Sequence, residues 1–161
     1  MADEHLATAV CDFILSQIKS EGFLPAKNNQ LKRKALFFGV EEEQHYIGLK
    51  MVSDAFKDQG WSVRYLGPSL PIEHSLVQIN KFRPDVIGLS AALSYRLSTI
   101  KDVITRFSRL EWKPLIMVGG RMAKKFDLSG MEAENVIIVK DLNHLNTWFQ
   151  QGREDIMNET S

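Results

Sequence analysis

Hydrophobic residues along this chain keep two rhythms, and their alternation predicts the architecture. From Lys34 to Val40 the residues are almost all apolar, as in a parallel strand covered on both faces. From Gly48 to Gln59, Leu49, Val52, Ala55 and Phe56 recur at helical spacing, and Gly60 ends that helix. Ser62 to Leu66 forms a second strand, Gly67-Pro68 turns the chain, and Pro71 opens a helix that runs to Phe82. Val86 to Leu89 is the third strand. A helix follows from near Ser98 to Leu110, with Leu97 or Thr99 equally able to mark its start. Leu115 to Val118 and Val136 to Val139 are the fourth and fifth strands. Asp141 then caps a closing helix whose apolar points are Leu142, Leu145, Trp148 and Phe149.

Strands separated by helices in this order predict an α/β fold: a doubly wound, flavodoxin- or Rossmann-like, five-stranded parallel sheet. Right-handed crossovers place helices on both of its faces. An extra N-terminal helix precedes it, marked by Leu6, Val10, Phe13, Ile14 and Ile18 at helical intervals. Gly22, Pro25 and Lys27-Asn28-Asn29-Gln30 break that pattern and read as a linker. The expected division is an N-terminal helix and linker over 1–30, the α/β domain over 31–153, and a flexible polar tail over 154–161. A single helix cannot form its own core, so it must pack on the domain, on its copy, or on a partner.

Composition narrows the function classes. The chain has 161 residues, 44% of them apolar, which suits one soluble domain. Twenty basic residues balance twenty acidic ones, which argues against a general nucleic-acid binder. Cys11 is the sole cysteine, so no internal disulfide or multi-cysteine zinc site can form, and it reads as a buried thiol. No run approaches the roughly 18 apolar residues of a membrane span. The acidic start, Asp3 and Glu4, is unlike a secretory signal. A cytoplasmic protein is expected.

Ligands of doubly wound sheets bind beyond the carboxyl ends of the strands, where strand order reverses. In a flavodoxin-like order that point lies between the first and third strands. The loop Glu43-Gln44-His45-Tyr46-Ile47-Gly48 leaves the first strand, Ser90 ends the third, and Gly119-Gly120 ends the fourth. Each feature has a plain alternative. A lone loop histidine is more often a surface residue than a ligand, and Glu41-Glu42-Glu43 also reads as a solvated turn. Paired glycines make ordinary turns, and Ser90, Ser94 and Tyr95 can simply bond the backbone. A helix-opening Gly48 weakens its helix, so close approach of a ligand or backbone is its functional reading. The dinucleotide pattern G-x-G-x-x-G and the phosphate loop with its lysine are both absent. Three glutamates after the first strand oppose a flavin phosphate nest. Ser90 fails where a phosphoacceptor domain needs an aspartate.

Together these residues resemble the cobalamin-binding domain of methionine synthase, corrinoid carrier proteins, cobalamin-dependent mutases and light-sensing regulators. The family pattern runs D-x-H-x-x-G, then S-x-L, then G-G. Here Glu43-Gln44-His45-Tyr46-Ile47-Gly48 is followed after 41 residues by Ser90-Ala91-Ala92, and after 26 more by Gly119-Gly120. That spacing matches the family, and the likeness covers roughly Leu31 to Phe149. The resemblance implies that residues 31–153 are a cobalamin-binding domain.

The resemblance implies that His45 is the lower axial ligand of cobalt, displacing the cofactor's own base. Glu43 stands where the family aspartate supports that histidine. The displaced nucleotide tail would enter a slot beside the sheet lined by Ser90, Ala92 or Leu93, Ser94, Gly119 and Gly120, with Gly48 opening the next helix. Ala92 replaces the family leucine. Adenosylcobalamin, methylcobalamin and hydroxocobalamin are the candidate loaded forms. Residues 1–30 hold one helix where several relatives place four above the corrin ring, so a homo-oligomer or protein partner is expected to cover the upper face.

The glutamate, with Gly60-Trp61-Ser62-Val63-Arg64-Tyr65-Leu66-Gly67-Pro68, looks most like the sensory branch of the family. The expected role is therefore a light-responsive regulatory module that signals through protein contacts, without direct nucleic-acid or membrane binding. The alternatives are a cobalamin-binding subunit of a mutase or corrinoid methyltransferase system, and a haem-binding variant of the fold. No acid–base pair or nucleophile stands apart from His45 and Glu43, so an autonomous hydrolase or transferase is not expected.

Overall fold

In the computed structural model of this chain, the described residues are 33–40, 46–90, 97–120 and 135–159, without the side chains of Leu97 and 153–159. The elements are β1 (Lys34–Gly39), α1 (Ile47–Asp58), β2 (Ser62–Tyr65), α2 (Ile72–Phe82), β3 (Val86–Ser90), α3 (Leu97–Ser108), β4 (Leu115–Gly119), β5 (Val136–Ile138) and α4 (Leu142–Glu159). All five strands pair in parallel, in the order β2-β1-β3-β4-β5. The doubly wound sheet expected from the hydrophobic rhythm is the one observed. The N-terminal helix and Cys11 lie outside the described residues.

Side chains alternate across each strand, so each face of the sheet buries its own set. Leu36, Phe38, Ile87, Leu89, Ile116 and Val118 pack with Ile79 of α2 and with Ile100, Val103 and Phe107 of α3. On the other face, Ala35, Phe37, Val86 and Met117 pack with Leu49 and Phe56 of α1 and Leu145 and Phe149 of α4. Arg106 of α3 also bonds Glu73 of α2 at 2.7 Å. That hydrogen bond, with the nearby Asp102 charge, raises the guanidinium pKa further above its ordinary value. The pair is solvent-exposed, so apolar burial holds these helices in place and the ion pair adds little.

Local chemistry explains the element ends. Asp141 accepts a hydrogen bond from the His144 backbone N–H at 2.8 Å, which satisfies one of the orphan donors of α4. Pro71 stands just before α2, and Arg83 ends it in the left-handed region at φ 50°. Helical backbone continues past Gly152 to Glu159, beyond the point where the sequence reads as tail. Glycine weakens a helix interior by only about 1 kcal/mol, and no proline follows to stop it. Among the described residues, no helix is long and apolar enough to cross a membrane.

The core beneath α1 is aromatic. Phe56 meets Phe37 with ring centroids 5.0 Å apart, Trp61 at 5.0 Å and Phe149 at 4.8 Å, all edge-to-face, and Trp148 at 5.7 Å. Phe37 lies across Gly88 of β3, so a side chain there would overlap its ring. Phe37 is wholly buried and cannot swing aside freely. Gly88→Ala should therefore destabilise the fold by about 1–3 kcal/mol through overpacking. Phe56→Ala should cost about 3–5 kcal/mol by leaving a cavity. Urea unfolding measures both, and an unchanged midpoint for G88A would show that Phe37 has room to move.

Candidate cofactor site

Parallel pairing lines up three strand ends. Gly39 of β1 pairs in register with Ser90 of β3, and Ser90 with Gly119 of β4. By strand alternation all three belong to the face that carries Ala35, Phe37, Val86 and Met117, the face covered by α1 and α4. The carboxyl edge of that face therefore ends in a row of two glycines and a serine. Two residues back, Phe37, Gly88 and Met117 form the next row on the same face.

Backbone bonds fix the row. The Gly39 N–H donates to the Gly67 carbonyl at 3.0 Å, and the Gly39 carbonyl accepts from Leu70 at 2.9 Å. Ser90 is buried. The chain leaves β1 toward α1, which begins at this edge and packs across β1, β2 and β3.

The glycines test whether a ligand fits. A Cβ at Gly48 would meet nothing within 4 Å, and one at Gly119 would meet only the Val139 carbonyl oxygen at 3.6 Å, an ordinary contact. Neither has a positive φ, so backbone conformation does not demand glycine at either position. Gly120 differs, with φ 110°, a conformation that suits glycine. Gly48 is exposed, so the space around it is open to solvent. The room at Gly119, in register with the buried Ser90, fits a flat group lying along the sheet edge.

The structure thus brings Ser90 and Gly119 into one row, continues it to Gly120, and sets Gly48 in the first turn of α1. Glu43, His45, Ala92, Leu93 and Ser94 lie outside the described residues, so no geometry is assigned to them. Two residues escape sequence reasoning. Gly39 reads as the interior of a hydrophobic run, and only pairing register puts it beside Ser90. Ser53 sits in the apolar stripe of α1, wholly buried, and its Oγ has no hydrogen-bond partner among the described residues. A polar residue at helical spacing within an apolar stripe was the available signal. No group of three or more His, Cys, Asp or Glu among the described residues could hold a bare metal ion. What this edge offers a ligand is shape.

A family model described as the B12 binding domain matches residues 33–139. This chain belongs to the B12-binding domain family. The B12-binding chain is 33% identical over 86 residues to dimethylamine corrinoid protein 3 of Methanosarcina mazei, covering 52% of each. It spans about half the length of that relative. Its fold is similar to the methanol:cobalamin methyltransferase complex of Methanosarcina barkeri (TM-score 0.60, 18% identity), covering 84% of this chain and 50% of that one. It is also similar to the monomethylamine corrinoid protein of Methanosarcina barkeri (TM-score 0.59, 18% identity), over 77% and 60% of the two chains.

These relatives overturn the expectation of a sensory, light-responsive signalling branch. They are named as a dimethylamine corrinoid protein, a monomethylamine corrinoid protein and a methanol:cobalamin methyltransferase complex, and none is named as a photoreceptor. The structure explains why the Gly60–Pro68 stretch misled. Gly60 takes φ 88° after α1, Trp61 packs on Phe56, residues 62–65 form β2, and Gly67 turns at φ 88°. Those residues serve the fold, so they do not separate one branch of the B12-binding family from another.

The two edge glycines should respond differently to substitution. Gly119→Ala should leave stability within about 0.5 kcal/mol of the wild type. Gly120→Ala should cost about 1–3 kcal/mol through its strained φ. Thermal or urea unfolding of both variants without cofactor measures this, and a larger loss at Gly119 would contradict an open edge.

Proposed function

We propose that this chain is a corrinoid-carrying domain of a methyl-transfer system, over residues 31–153 and acting in the cytoplasm. The relation to dimethylamine corrinoid proteins carries the methyl-transfer role, and the small row Gly39, Ser90 and Gly119, with room at Gly119, supports a corrinoid seat. When bound, the corrinoid supplies the cobalt centre that takes up and gives away the methyl group, and the protein supplies position and electrostatics.

His45 would hold the cobalt. Glu43 would accept the hydrogen bond of the other ring nitrogen, fixing the tautomer and raising basicity at the coordinating one. Ser90, Gly119 and Gly120, with Ala92, Leu93 and Ser94, would line the slot for the nucleotide tail. Gly48 would keep the start of α1 clear of it. Methylcobalamin and hydroxocobalamin suit this role as loaded forms. The partner for the upper face is then a methyltransferase subunit, which must approach the cobalt to exchange the methyl group.

Reconstitution with hydroxocobalamin and methylcobalamin tests the ligand. Wild-type protein should show a histidine-coordinated absorption spectrum, and His45→Ala should lose it while far-ultraviolet circular dichroism stays unchanged. An identical bound spectrum for H45A would overturn the assignment. Protein loaded with isotopically labelled methylcobalamin should pass label to a thiol acceptor when a methyltransferase is added. Release that needs light and ignores the methyltransferase would contradict the transfer role.

A further inference from the structure

The two helices that cover one face of the sheet, α1 and α4, both run from its carboxyl edge to its amino edge, but they do not end together. Phe56 of α1 and Phe149 of α4 meet with ring centroids 4.8 Å apart. Beyond that contact α1 stops at Asp58, whereas α4 continues to Glu159. At helical rise α4 outruns its neighbour by about 12 Å. Its end therefore overhangs the amino edge. Leu145, Phe149 and Gly152 fall on one stripe at helical spacing, and the sequence carries that spacing on to Ile156. Leu145 and Phe149 are buried on the sheet. Beside Gly152 the space is open, since a Cβ there would meet nothing within 4 Å. Glycine weakens a helix interior by about 1 kcal/mol relative to alanine. Close approach of another backbone is what its missing side chain permits.

The start of the domain lies at the same corner. Arg33, the first described residue, sits over the Trp61 ring at 5.7 Å, and Trp61 lies 6.2 Å from Trp148, one turn before Gly152. Both tryptophans are only partly buried. We infer that residues 6–18 of this chain pack as a helix beneath the overhang of α4, crossing it at Gly152. Leu6, Val10, Phe13, Ile14 and Ile18 give that segment its apolar stripe. As a helix it would be about 20 Å long, enough to span the overhang. Residues 19–32 tether it to Arg33, and a flexible tether of that length extends about 20 Å on average. The segment is thus held at this corner at high effective concentration, which favours it over a second copy. A helix this short is marginal alone in water, so docking is what orders it. The carboxyl edge stays clear for a methyltransferase.

Hydrogen–deuterium exchange of the full chain, read by mass spectrometry, tests this. Amides of residues 6–18 should be protected in the wild type, with or without hydroxocobalamin and at any protein concentration. Gly152→Glu should remove that protection while β1, β3 and β4 keep theirs, which shows the domain still folded. Phe13→Asp, outside the α/β core, should speed exchange of residues 150–159 as well as its own segment. Unprotected 6–18 amides in the wild type would overturn the proposal. So would unchanged exchange of residues 150–159 in F13D, or protection of the segment that survives in a folded G152E. Protection that appears only with hydroxocobalamin would put the segment over the carboxyl edge, and protection lost on dilution would put it on a second copy. Either result would also overturn it.

Discussion

Register between β1, β3 and β4 is the constraint on which the site depends. Parallel pairing sets Gly39, Ser90 and Gly119 level on one face, and a one-residue slip in any strand would turn a bulky apolar neighbour into that row. Phe38, Leu89 and Val118 are those neighbours, and all three are needed by the opposite layer against α2 and α3. The two cores therefore lock the register between them. One face can leave its edge small and open because the other is filled to the end of the strands.

The aromatic layer under α1 sets how deep that opening runs. Phe37 lying over Gly88 closes the space from below, and Phe56, held by Trp61, Trp148 and Phe149, keeps Phe37 in place. Above that floor the strand side chains shrink to glycine and serine, while α1 keeps Leu49 packed on the same face. Along the strands of that face, bulk at Phe37 and Met117 gives way to small residues at the carboxyl edge. Gly119, which neither backbone conformation nor packing among the described residues requires to be glycine, fits an edge shaped for something other than the protein.

Most of the fold was legible in the sequence because parallel strands and amphipathic helices have distinct periods. Asp141 and Pro71 mark helix starts that the structure also shows. The strand ends at Ser90 and Gly119 were legible as parts of a spaced motif and lie in register where expected. Gly39 and Ser53 were not, since each becomes notable only through a neighbour brought close by tertiary pairing. The branch of the family was misjudged for a related reason. The stretch from Gly60 to Pro68 is shaped by a helix end, a buried tryptophan, a strand and a glycine turn, demands common to the fold. It carries no information about which branch of the family the chain belongs to.

Electron paramagnetic resonance of the reduced, paramagnetic cobalt form tests the central claim most directly, since the unpaired electron couples to the nucleus of the axial nitrogen. Protein grown with heavy-nitrogen histidine and loaded with unlabelled cobalamin should show that splitting change from the three-line pattern of ordinary nitrogen to the two-line pattern of the heavy isotope. A three-line pattern that persists in the labelled protein would mean that the cofactor's own base still holds the cobalt, with no histidine bound beneath it.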